Sequence, residues 1–202
     1  MKFGSRAFVR LLKVVLWPLC LGPFVFLLLS VFQFFGYQLG ANPIEEILHT
    51  LGKWGLKFLL LTLAITPLRR WTGFNWLIQF RRLLGLFAFF YVFMHFLTYF
   101  VLDQSLDINA VVEDIVERPY ITLGMTALLL LLPLAATSTR GMMRRLGRRW
   151  QKLHKLIYVI GILGVWHFYW QVKLDTIEAT VYAVILAVLL GYRIWLTRQK
   201  TG

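Results

Sequence analysis

The sequence predicts an all-α membrane protein, a polytopic bundle of six helices with both termini on the cytoplasmic side, and three observations carry that expectation. First, 59% of the 202 residues are hydrophobic and 15% are charged, whereas soluble domains hold about 45–50% apolar and about 25% charged residues. A water-soluble chain of this size could bury such an excess only by leaving large apolar patches exposed. Second, the apolar residues come in blocks of about 20, the length that crosses the hydrocarbon at about 1.5 Å per residue. Third, the charges sort by side once the blocks are treated as crossings. This composition excludes a secreted disulfide scaffold, a disordered tail and a conventional nucleic-acid-binding domain. The single cysteine, Cys20, forbids an intrachain disulfide and a multi-thiolate metal site made by this chain alone.

The expected crossings are 11–32, 47–68, 83–102, 119–139, 153–171 and 176–196. The first contains Pro18 and Pro23, which predict a kink. It follows Lys2, Arg6, Arg10 and Lys13 as a signal peptide would, but the apolar run is too long and no small-x-small cleavage site follows, so it is expected to be retained. The second carries Lys53 and Lys57 near its start, with stems expected to reach toward the interface. The acidic connector 103–118 is the longest outer one, and its 109–116 stretch predicts a short interfacial helix. Short connections make consecutive helices antiparallel neighbours in one compact domain, 1–202. No internal repeat or soluble domain is expected. Gly141, Gly147, Gly161 and Gly164 form no strand–turn–helix nucleotide fingerprint, so the chain is not expected to hold its own NAD(P)H domain.

Six crossings place both termini on one side, together with the connectors 69–82 and 140–152. That side holds 18 of the 22 basic residues and none of the nine acids. Glu45, Glu46, Asp103, Asp107, Glu113, Asp114, Glu117, Asp175 and Glu178 all fall opposite. The positive-inside rule then makes the termini cytoplasmic. The net charge of +13 is thereby membrane topology and contact with anionic lipid, not nucleic-acid binding.

An ionisable side chain within a span is costly, and its default reading is functional. His95 lies about 12 residues into the third crossing and His167 about 14 into the fifth, both running outward, so the two imidazoles reach similar depths in the outer half. Two imidazoles level on different helices are what a low-spin haem needs, one neutral nitrogen on each side of the iron. Structural zinc wants four ligands, and no Cys or acid lies at that depth to complete a set. Phe89, Phe90, Tyr91 and Phe93 before His95, and Trp166, Phe168, Tyr169 and Trp170 around His167, suit a porphyrin; they equally suit an aromatic belt. His154 opens the fifth helix, about 20 Å along the axis from His167 and rotated by about 140°. It reads either as a ligand of an inner iron or as an interfacial histidine between Lys152 and Lys155. His49, at the outer mouth of the second helix, has the character of an interfacial residue.

These residues resemble a known family. Six helices with His in the third and H-x12-H in the fifth are similar to the ferric reductase-like transmembrane domain of NADPH oxidases and metalloreductases. Within it, Asn42-Pro43-Ile44-Glu45 leading to His49-x-x-Gly52, and the run Thr62-Leu63-Ala64-Ile65-Thr66-Pro67-Leu68-Arg69, resemble the MsrQ (YedZ) family. So do Arg81-Arg82-x-x-Gly85, Tyr91-x-x-x-His95, and Ala136-Thr137-Ser138 followed by Arg145-Leu146-Gly147-x-x-Trp150-x-x-x-His154. The resemblance implies a b-type cytochrome of the bacterial inner membrane. Such a subunit takes electrons from the quinone pool or a cytoplasmic flavin reductase and passes them to MsrP, a periplasmic molybdopterin enzyme that reduces methionine sulfoxide in oxidised proteins. It also implies haem b, one or two per chain, and FMN as a further cofactor whose site the sequence does not locate. One departure matters: the broader oxidase family has two histidines in the third helix, and here Arg81 and Arg82 stand at the earlier position. An outer haem on His95 and His167 survives the transfer; an inner one would have His154 and no histidine opposite.

The reading is thus of an electron-transfer subunit, the cofactor doing the redox chemistry and the chain having no catalytic side chain. Arg81, Arg82, Arg145, Arg149 and His49 are candidate contacts for haem propionates or a quinone headgroup, with Arg144 and Arg148 in the same basic cluster; phospholipid contact is the competing role. The acidic outer loops are suited to steering a positively charged soluble partner. Alternatives are a stand-alone ferric or metal reductase, and a haem-free transporter or assembly factor.

Overall fold

The computed structural model of the chain describes residues 4–36, 39–172 and 176–199; Lys2, Asp175 and Lys200 of the charge sorting lie outside them. Among the described residues there is helix and no strand. Five helices are long and apolar enough to cross a membrane, making this a multi-pass membrane protein. They are Arg6–Val31, Pro43–Thr72, Asn75–Asp103, Pro119–Ala136 and Ile177–Arg198. The expected crossing at 153–171 differs. Its helix is Leu156–Gln171, 16 residues without a charge, which spans about 24 Å against a hydrocarbon core of about 30 Å. The cause is a turn at His154–Lys155 that separates it from the short helix Arg148–Leu153.

The chain divides into two compact units, Met1–Ile108 and Asn109–Gly202, each described by itself. The first holds α1 (Arg6–Val31), α2 (Pro43–Thr72) and α3 (Arg81–Thr98), the last entered through a 3-10 turn at Asn75–Phe80 and prolonged by a π turn at Tyr99–Asp103. α1 and α2 start where the sequence supplies a cap. Ser5 accepts from the Phe8 N–H at 3.2 Å. Asn42 caps α2 by accepting from the Glu45 N–H, with Pro43 in the first turn, where its missing N–H costs nothing. Glu45 and Glu46 then sit at the positive end of the α2 dipole, and Arg69 and Arg70 at the negative end. Gly73, at φ 73°, closes the helix in the left-handed conformation that glycine alone adopts without strain.

α1 runs continuously through both prolines. Pro18 and Pro23 have no N–H to give, so α1 is weakened there. One residue past Pro23 the ladder is bridged from another helix. The Tyr91 hydroxyl accepts from the Phe24 N–H at 3.1 Å and donates to the Cys20 carbonyl at 2.8 Å. Those two groups are the ordinary i→i−4 partners of a helix, so Tyr91 is spliced into the α1 ladder. Its ring is fully buried, stacked on Phe58 at 5.3 Å and edge-on to Phe90. Tyr91, one of the aromatic residues suited to a porphyrin or an aromatic belt, fastens α3 to α1.

The second unit holds α4 (Ile108–Glu117, mostly within it), α5 (Pro119–Ala136), α6 (Arg140–Leu146), α7 (Arg148–Leu153), α8 (Leu156–Gln171) and α9 (Ile177–Arg198). α4 is the expected short helix in the acidic connector, with Val111 and Asp114 buried and Ile108, Val112 and Val116 exposed on one stripe. α8 packs against α5 and α9. Thr139 caps α6 through the Met142 N–H, and Gly147, at φ 49°, turns the chain into α7. Outward-facing side chains in both units are apolar: Val14 and Leu19 of α1 are each 64% exposed and Val188 of α9 is 65% exposed, a surface that lipid accepts without cost.

Removing the Tyr91 hydroxyl tests the α1 splice. Tyr91→Phe is expected to leave the chain inserted and to destabilise it by about 1 kcal/mol, read as an earlier midpoint in denaturing detergent.

Candidate functional site

Each unit carries one histidine held in the same way. In the first, His95 Nδ1 lies 2.9 Å from the Leu48 carbonyl of α2. In the second, His167 Nδ1 lies 2.6 Å from the Tyr120 carbonyl of α5. Both carbonyls belong to helices, and a carbonyl oxygen has two lone pairs, so each takes the imidazole N–H beside its own helical bond. Access to it is the difficulty. Side chains tilt toward the helix N-terminus, so the residue four positions on covers the carbonyl. Here that residue is glycine in both units. A β-carbon at Gly52 would come within 3.2 Å of His95 Nδ1, and one at Gly124 within 2.8 Å of His167 Nδ1. Gly55, one turn on, brings α3 equally close: a β-carbon there would meet Val92 Cγ2 at 2.7 Å.

The tautomer follows. A carbonyl only accepts, so Nδ1 carries the proton and Nε2 keeps its lone pair, pointing away from the helix that holds the ring. An Nδ1–H bonded to a backbone carbonyl is the usual outer support of a metal-ligating histidine. Both rings are half-buried, and Tyr120 lies beside His167 with ring centres 6.1 Å apart. His95 and His167 therefore fit the demands of axial ligands to a haem iron.

His154 is held differently. Thr137 Oγ1 donates to the Pro133 carbonyl at 2.6 Å and so accepts from His154 Nε2 at 3.0 Å. Trp150 covers one face of the ring at 3.9 Å between centres, and its Nε1 donates to the Thr137 carbonyl at 3.0 Å. His154 thus meets Thr137 through Nε2, whereas His95 and His167 meet their carbonyls through Nδ1. His49 Nε2 is 4.0 Å from Glu45 Oε1, one turn back on α2. Arg82, Arg144, Arg145, Arg148 and Arg149 are exposed, and Arg81 is half-buried at the start of α3. Among the described residues no three of His, Cys, Asp and Glu converge as a metal cluster.

The aromatic residues around the histidines divide in role. Phe90 packs edge-on to Phe24 of α1, whereas Phe89 and Phe93 stack on each other. Trp166, Tyr169 and Trp170 are exposed, as an interfacial belt requires. The sequence analysis missed Gly52 and Gly124 as site residues, and it missed the repeat they belong to. Acceptor and histidine are 47 residues apart in both units, with the glycine four residues after the acceptor. The period was present in the sequence, but its members, a leucine or tyrosine carbonyl and a glycine, have no signature until the ring is seen against them.

Comparison with known proteins bears on the same residues. The family described as the ferric reductase like transmembrane component matches residues 51–165. The chain is 48% identical over 190 residues, 93% of its length and 86% of the relative's, to a protein of Ralstonia nicotianae named "Protein-methionine-sulfoxide reductase heme-binding subunit MsrQ". It is 57% and 58% identical over 157 residues to proteins of the same name from Xanthomonas euvesicatoria and Xanthomonas campestris, covering 78% of this chain and 72% of each relative. No solved structure matches the chain. Two glycine-seated histidines within the matched helices or beside them, and near-complete overlap with these relatives, place the chain in the ferric reductase-like transmembrane family, among the MsrQ heme-binding subunits.

Proposed function

We propose that the chain is a b-type cytochrome subunit of the bacterial inner membrane that conducts electrons from quinol or a cytoplasmic flavin reductase to a periplasmic methionine sulfoxide reductase of the MsrP type. The observation that carries the proposal is the matched pair of Nδ1–carbonyl contacts at His95 and His167. The chain crosses the membrane six times, both termini cytoplasmic, with α7 and the His154 turn completing the crossing that α8 begins. A bound haem supplies the one-electron carrier.

The chain's own residues do the rest. Leu48 and Tyr120 hold the two imidazoles as Nδ1–H tautomers, so that Nε2 needs no proton loss before it ligates iron. Gly52 and Gly124 keep each ring tight against its helix, which lowers the reorganisation that accompanies a change of charge. The half-buried setting of both rings limits water. His154, secured by Thr137 and Trp150 beside the basic residues of α6 and α7, belongs to the electron-uptake end; ligating a second iron through Nε2 requires it to leave Thr137. An FMN and a quinone site remain part of the proposal as alternatives for electron delivery.

Three outcomes test this. Purified protein from haem-sufficient cells is expected to be red and to show a sharpened b-type α band with dithionite; a colourless preparation defeats the cytochrome reading. His95→Ala and His167→Ala are each expected to abolish the low-spin spectrum while the chain stays inserted, and Gly124→Ala to weaken haem retention about tenfold or more by displacing the His167 ring, the equivalent of about 1.4 kcal/mol. For the topology, reporter fusions at 103–118 are expected to read as periplasmic and fusions at the C-terminus as cytoplasmic.

A further inference from the structure

α8 and α9 pack against each other but leave a groove of about 360 Å³ between them, within the range of about 300–1,000 Å³ that ligand sites occupy. Ile162, Trp166 and Tyr169 of α8 and Leu190 of α9 stand along it, and the small Ala183 and Ala187 leave the room. Ile162, Trp166 and Tyr169 are exposed, so the groove opens to the lipid around this unit.

Its two ends differ in charge. Arg193 follows Leu190 by one turn of α9, and Tyr158 precedes Ile162 by one turn of α8. The Arg193 guanidinium lies 5.5 Å over the Tyr158 ring, so this pair stands where the groove ends. Lys155 precedes α8 and Arg198 ends α9 on the same side. At the other end α9 begins with its one acid, Glu178, whose carboxylate accepts from the Tyr182 hydroxyl at 2.9 Å. Between the ends α8 carries no charge. Arg193 is five residues from the end of α9, about 8 Å of helix, which its stem covers to reach the interface.

We propose that this groove binds an anionic phospholipid, with one acyl chain along Trp166 and Tyr169 and the phosphate at Arg193. A guanidinium offers five N–H donors in a planar fork that matches phosphate oxygens, so it serves a phosphate beside the contacts it makes within the chain. Basic pockets between membrane helices hold acidic headgroups in this way. An isoprenoid quinone also fills an apolar groove, but it brings no negative charge for Arg193. The site is independent of the haem reading, because His167 turns to α5 and the groove lies against α9. The bound lipid fastens the 16-residue α8 to its neighbour.

The test uses the full chain in phosphatidylcholine bilayers with a rising fraction of phosphatidylglycerol or phosphatidylcholine brominated in the acyl chains, which quenches tryptophan on contact. The share of Trp166 is the difference from the same chain carrying Trp166→Phe. In wild type that share is expected to be half-quenched at an about fivefold lower fraction of brominated phosphatidylglycerol than of brominated phosphatidylcholine. Arg193→Gln is expected to erase the preference and Arg193→Lys to keep it within about twofold. Ala187→Phe, which fills the groove, is expected to lower quenching of Trp166 by either lipid. Equal quenching by the two lipids in wild type overturns the proposal, as does unchanged quenching in Ala187→Phe. A preference that survives Arg193→Gln overturns it too, making the effect a general attraction of the basic face. So does relief of the quenching by an isoprenoid quinone, which makes that molecule the occupant.

Discussion

The contact on which the site depends is an imidazole N–H given to a helix carbonyl that already serves its own helix. Such a carbonyl is normally roofed by the side chain four residues on, so the contact exists only where that side chain is missing. Gly52 over Leu48 and Gly124 over Tyr120 remove the roof, and α3 and α8 then settle close enough for His95 and His167 to reach. In one step this determines the packing distance between helices and the tautomer of each ring. Without a hydrophobic drive between helices in lipid, close approach at small residues is also what holds such a pair together.

The same economy of polar groups explains the rest of the chain. A backbone or side-chain group stranded in hydrocarbon costs several kcal/mol, and several interior polar groups are tied to others accordingly. In the α1 ladder, the Phe24 N–H and Cys20 carbonyl beside Pro23 are bridged by the Tyr91 hydroxyl. Ser30, Thr62 and Thr98 return their hydroxyls to carbonyls one turn back. Thr137, His154 and Trp150 satisfy one another around the turn that shortens α8.

Much of this was legible in the sequence. Blocks of apolar residues located the five long helices to within a few residues, because the requirement that every backbone group be bonded inside lipid leaves helix as the only choice. The Asn42-Pro43 start and Gly73 end of α2 follow from local chemistry, as does the small helix in the acidic connector. The histidines drew attention because an imidazole in hydrocarbon needs a reason. Sequence and structure differ where the reading extends along a single helix. The run at 153–171 reads as one crossing, yet it turns at His154, where Thr137 and Trp150 offer bonds that an unbroken helix would forgo. Tyr91 reads as a neighbour of His95 in sequence, but it lies one turn away on α3 and faces α1.

The sequence by itself determined the membrane character, the helices, several of their caps and the grouping of charge along the chain, and it marked the histidines that stand within helices, since each depends on composition or on neighbours within about one helical turn. Tertiary structure alone decided which carbonyl each histidine meets, through which of its nitrogens it does so, how closely each ring stands over Gly52 or Gly124, and that the two units repeat one arrangement. Those are contacts between helices 47 residues apart in the chain, made with backbone atoms that every residue type shares, and a sequence does not mark which of them a neighbouring helix will use.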